Sequence, residues 1–106
     1  MSIRKVSERK FRLADLEKKH GPMTFGGFVR AFREAEEISQ VEFAKKLGLS
    51  RANLCDIEKD RKSVAPERAA RIAKKLGVPE STLIQLALQD SLRAVKLHYR
   101  VQLKAS

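Results

Sequence analysis

Between Leu47 and Arg51 only Gly48, Leu49 and Ser50 separate two stretches that each carry a helical apolar pattern. No other feature limits the folding of this chain as sharply. In SQVEFAKKL, Ser39 and Glu42 have the S-x-x-E spacing of a capping box, in which each side chain satisfies an orphan amide at the helix start. Phe43, Ala44 and Leu47 then form a buried stripe, and Gly48 ends it. Ser50 caps the next stretch, RANLCDIEK, with Leu54 and Ile57 facing inward. A turn this short crosses the two helices steeply. Ala44 is small enough for close approach, and Gly48 supplies the turn's torsions. The N-terminal half of the second helix is thereby pushed outward, in the geometry with which a helix enters a major groove.

The flanking sequence is punctuated in the same way and predicts an all-α fold. Thr24 caps an earlier helix whose Phe25, Phe28, Phe32 and Ala35 recur at helical spacing, while Gly26 and Gly27 weaken its first turn. Pro66 sits where first-turn proline is tolerated and opens a fourth helix. Its Ala69, Ile72, Ala73 and Leu76 form an apolar stripe, and Gly77 closes it. Pro79 begins a fifth helix running through Leu83, Ile84, Ala87, Leu88 and Leu92 to about Val95. Three regions result: a basic arm over 1–22, a core domain over 23–79, and a C-terminal helix with a strand over 80–106. In the arm, Val6, Phe11, Leu13 and Leu16 either line a short helix over about 7–19, ended by Gly21-Pro22, or belong to a flexible segment. In KLHYRVQLK, residues 96–104, Leu97, Tyr99, Val101 and Leu103 alternate with polar residues, a period-two strand pattern. One strand cannot satisfy its own backbone, so the pattern predicts antiparallel pairing with a second copy, the alternative being a disordered basic tail.

Charge bounds the partner. Twenty-three Lys and Arg against thirteen Asp and Glu leave +10 on a chain of 106 residues, which points to a polyanion, with nucleic acid ahead of a membrane surface. The lone Cys55 excludes an internal disulfide and a cysteine-based zinc site, and His20 and His98 have no ligand-like spacing, so neither metal nor cofactor is expected. Cys55 is either a small side chain beside the groove or a redox-sensitive thiol. There is no apolar leader and no long apolar run, so a cytoplasmic protein without a membrane span is expected. No nucleophile–base grouping, carboxylate pair or glycine-rich phosphate loop marks an enzyme.

The segment from Thr24 to Val78 resembles the Cro/C1-type helix-turn-helix family, also called XRE, of lambda-repressor-like fold. The features that carry the likeness are Ser39-Gln40, Phe43-Ala44, Leu47-Gly48, Ser50, Ile57-Glu58 and the run Ile72-Ala73…Leu76-Gly77-Val78. It departs from the family's pattern at Asp60, where glycine is common, and at Ala65, where a capping serine is common.

The resemblance implies a five-helix DNA-binding domain acting as a homodimer on a palindromic operator, its reading helices about 34–36 Å apart. By position it implies that Arg51, Ala52, Asn53 and Asp56 read base edges, and that Gln40, Ser50, Lys59, Arg61 and Lys62 meet phosphates. Arginine suits guanine O6 and N7, aspartate suits cytosine N4, and loop cations add affinity without sequence information. It also implies a partly buried Arg33–Glu58 ion pair. Small size and the expected strand make the chain most like the HigA and HipB antitoxin branch, which represses its own promoter and binds a toxin protein. The arm and the strand are then the toxin-docking candidates. The alternatives are a stand-alone or phage-type regulator without a toxin, and a protein-interaction module that has lost DNA binding.

Overall fold

A computed structural model describes residues 23–104, and the arm helix expected over 7–19 lies outside them. Five helices follow one another: α1 (Phe25–Ala35), α2 (Gln40–Leu47), α3 (Arg51–Glu58), α4 (Pro66–Leu76) and α5 (Glu80–Ala94). Each start has a local cause. The hydroxyls of Thr24, Ser39 and Ser50 accept from the amides of Gly27, Glu42 and Asn53. Ser39 forms its half of the expected capping box, and Glu42 makes no return bond among the described residues. Ala65 offers no cap to α4, where Pro66 in the first turn removes one orphan amide instead.

Every helix closes with a left-handed residue, but only α2 and α4 close with glycine, Gly48 at φ 71° and Gly77 at φ 74°. Glu37, Asp60 and Lys96 do the same work after α1, α3 and α5 with φ of 57°, 59° and 60°. A side chain in that region costs roughly 1–2 kcal/mol, so three helix ends are held in place by their surroundings.

The core is aliphatic with a phenylalanine centre. Phe28, Phe32, Phe43, Leu54 and Leu83 are its largest fully buried side chains, and Phe32 stacks on Phe43 with ring centroids 6.3 Å apart. Leu83, Leu86 and Ala87 of α5 join Ala69, Ile72, Ala73 and Leu76 of α4 in that same core. Gly26 places α1 against the end of α3: a Cβ there would overlap the Ile57 carbonyl oxygen. The glycine that weakens the first turn of α1 is thus what lets the helices meet.

The C-terminal segment differs from its sequence pattern. No strand forms among the described residues, and Leu97, Tyr99, Val101 and Leu103 carry no ladder. A lone segment has no partner backbone, so the glutamines of α5 supply its bonds. Gln89 donates from Nε2 to the Tyr99 carbonyl (2.6 Å) and accepts at Oε1 from the Val101 amide (2.8 Å). Gln85 accepts from the Leu103 amide at 3.3 Å. The segment lies along α5, while Val95, Leu97, Tyr99 and Leu103 remain exposed.

Candidate nucleic-acid interface

The outward helix α3 is seated by one acid. Glu58 is buried at its C-terminal end and accepts from Arg33 Nε at 2.8 Å, Arg33 Nη2 at 3.1 Å and Gln40 Nε2 at 3.1 Å. Arg33 also donates from Nη1 to the Ile38 carbonyl at 3.1 Å, so one guanidinium links α1, the approach to α2, and α3. Its pKa is raised by the hydrogen bond to Glu58, with burial acting the opposite way. Asp60, just past α3, accepts from the Thr24 hydroxyl at 3.1 Å and so ties the same end to the start of α1.

With that end anchored, the other faces solvent. Arg51 and Ala52 are exposed on the first turn, and Arg51 has no hydrogen bond or ion pair among the described residues. Asn53 is half-buried and its Oδ1 accepts from Lys62 Nζ at 2.7 Å. Asp56 is half-buried and lies 3.5 Å from Arg61. Two of the four residues expected to read bases are therefore each held by a loop cation expected to meet phosphate. Lys59 is exposed beside them, and Cys55 is half-buried. Ser50 caps α3 with its hydroxyl and is exposed.

Gln40 has a role inside the domain as well as the outward one expected of it. Its amide nitrogen donates inward to Glu58, which leaves one further N–H of that group for an outside acceptor. The sequence reading also passed over Arg68, Arg71 and Lys75. Together with Leu47, Gly48, Leu49 and Ile72 they line a cleft of about 190 Å³ between α4 and the turn. Their i, i+3, i+7 spacing puts the three cations on one helix face and was the available signal.

The helix-turn-helix family model matches residues 29–83, which contain α2, the turn, α3 and α4. The chain belongs to the helix-turn-helix family. Within that family it is similar to the immunity repressor protein of Bacillus phage phi105, at 36% identity over 62 residues. That match covers 58% of this chain and 43% of the phage protein, so this helix-turn-helix chain spans less than half of its relative. No solved structure matches it significantly. Among the described residues no helix is long and apolar enough to cross a membrane.

Proposed function

We propose that this chain is a sequence-specific DNA-binding repressor that works as a homodimer on a palindromic operator. The observation that carries the reading is the arrangement of α3. Its C-terminal end is fixed to the domain through Glu58, while its first turn presents an unpaired Arg51 and a bare Ala52. A rigid helix with an unpaired guanidinium at its leading end suits bidentate recognition of guanine, and an alanine methyl suits the thymine methyl. Lys59, Arg61 and Lys62 follow the helix and suit phosphate on the flanking strand. Asp56, paired with Arg61 at 3.5 Å, has the chemistry to accept from cytosine N4.

Membership in the helix-turn-helix family and the likeness to a phage immunity repressor support this reading. They favour the phage-type regulator over the toxin-binding branch, which we set aside. Dimerisation is assigned to the C-terminal surface, where Val95, Leu97, Tyr99 and Leu103 are exposed. Gln85 and Gln89 occupy backbone groups of Tyr99, Val101 and Leu103. A second copy of this segment is the partner we assign to that surface.

The test compares two single variants on an operator duplex selected from random sequence by the parent protein. Arg51→Ala relaxes the choice at one base pair, with a loss of about 1–3 kcal/mol confined to the selected site. Lys62→Ala weakens selected and random duplexes alike and lowers the salt slope by about 1. Equal losses from Arg51→Ala on both duplexes would remove that residue from the reading role.

A further inference from the structure

The cleft between α4 and the helix-turn-helix turn has the chemistry of an anion site. Arg68 and Arg71 are exposed on it and have no carboxylate partner among the described residues. Lys75 is held in place by donating from Nζ to the Leu47 carbonyl at 3.1 Å, at the negative end of α2. Two ammonium hydrogens remain for another acceptor. Buried Leu47 and Ile72 form an apolar floor, and Gly48 leaves the mouth open, since a Cβ there would come within 3.2 Å of Lys75 Nζ. Three cations on one helix face repel one another, and an anion between them relieves that repulsion.

Position selects the anion. Leu49 on the cleft wall is two residues from Arg51, a path of at most about 7.6 Å between Cα atoms. A helix inserted in a major groove about 12 Å wide has a phosphate wall on either side. Backbone charges recur about every 3.4 Å along each strand. The cleft therefore lies next to the leading end of α3, on the side where a flanking strand's phosphates would run. Lys59, Arg61 and Lys62 border the trailing end.

We propose that Arg68, Arg71 and Lys75 bind a backbone phosphate of the same duplex that α3 reads, so that cations grip the groove from both sides of the helix. The proposal rests on the DNA-binding reading above. Phosphate contact here adds affinity without sequence preference and fixes how far α3 enters the groove.

The experiment measures anisotropy of a fluorescein-labelled random-sequence duplex with the full chain across a salt series. Arg68→Gln and Arg71→Gln each lower the slope of log K against log salt by about 0.9, and the double variant by about 1.8. Arg71→Lys restores most of the slope. The control is Lys74→Gln, which removes the same charge from α4 at a residue paired with Glu80 (3.4 Å), and it leaves the slope unchanged. Melting curves matching the parent establish that all variants fold. A parent-like slope in the double variant overturns the cleft proposal, as does an equal loss from Lys74→Gln. Failure of the parent itself to bind the duplex at low salt overturns the DNA reading instead. Loss of binding to a poly-glutamate peptide, with DNA binding intact, would assign the cleft to an acidic protein segment and also overturn the proposal.

Discussion

Replacing Arg33 by methionine strands a carboxylate. The Glu58 side chain is 2% exposed and loses two of its three donors, keeping only Gln40. Breaking a buried pair from one side costs about 3–5 kcal/mol. The remaining amide donor places Arg33→Met near the lower end, at about 3 kcal/mol. For a domain of this size that lowers the melting temperature by roughly 12–24 °C, at about 4–8 °C per kcal/mol. Glu58→Leu is milder because the partner left behind is 15% exposed and its guanidinium can turn to water, so about 2 kcal/mol is expected. The double variant removes both charges and leaves only Gln40 and the Ile38 carbonyl short of a partner, at about 1 kcal/mol. The single costs sum to about 5 kcal/mol, so the cycle gives a coupling of about 4 kcal/mol. Urea unfolding followed by far-ultraviolet circular dichroism measures all four corners. A cost below about 1 kcal/mol for Arg33→Met, or a double variant as unstable as the sum, would refute the view that this pair seats α3.

Three further perturbations separate other features of the fold. Gly26→Ala gains about 1 kcal/mol of helix propensity but drives a methyl into the Ile57 carbonyl, which cannot rotate away. A net loss of about 2 kcal/mol is expected, and a raised melting temperature would show that α1 and α3 can part freely. Asp90 has a raised pKa, first from burial and further from Asp60, against the lowering effects of the Phe25 amide and Arg93. A raised carboxyl pKa means the folded chain binds that proton more tightly, so the contribution is greatest below the ordinary carboxylate range and is lost as pH rises through the folded value. Asp90→Asn keeps an acceptor for Phe25 and is expected to melt at or above the parent at pH 7, the gap closing toward about pH 4. A gap that widens on acidification contradicts that sign. Ending the chain after Lys96 removes Leu97, Tyr99, Val101 and Leu103, and sedimentation is expected to show a monomer with α1–α5 still folded; a truncated dimer places the interface elsewhere.

What was legible followed from local chemistry. Thr24, Ser39, Ser50, Pro66, Gly48 and Gly77 mark helix ends because capping and left-handed torsion are properties of single residues. Glu58 could be matched to Arg33 by counting positions in a known pattern, but counting could not show that Gln40 completes the same cluster. Asp60 departs from the common glycine yet keeps the left-handed torsion, with its bond to Thr24 there to offset the strain. Residues 97–104 show the converse limit. Alternation specifies an extended chain with two faces, but the partner of its backbone is not encoded in that alternation. In the single chain, two glutamines from another element take that place.

Three acids of this basic protein sit at joints between helices. Glu58 ties α3 to α1 and α2, Asp60 ties the end of α3 to Thr24, and Asp90 accepts from the Phe25 amide at 3.0 Å to tie α5 to the first turn of α1. All three converge on α1, two of them at its N-terminus, where the helix dipole favours negative charge. Arg51 on α3 and Arg68 and Arg71 on α4 are unpaired among the described residues and lie outward. Acids at the joints hold the elements together while leaving Arg51, Arg68 and Arg71 unpaired on a chain of net charge +10. Stability and affinity are then carried by different residues. On the proposed DNA-binding reading, neutralising Glu58 is expected to loosen α3 with little change in surface charge, whereas neutralising Arg51 or Arg71 is expected to alter binding and leave the fold intact. Asp56 differs from those three acids, standing half-buried on α3 itself. It shares its charge with Arg61, 3.5 Å away, and on the proposed reading lies on the surface that meets DNA.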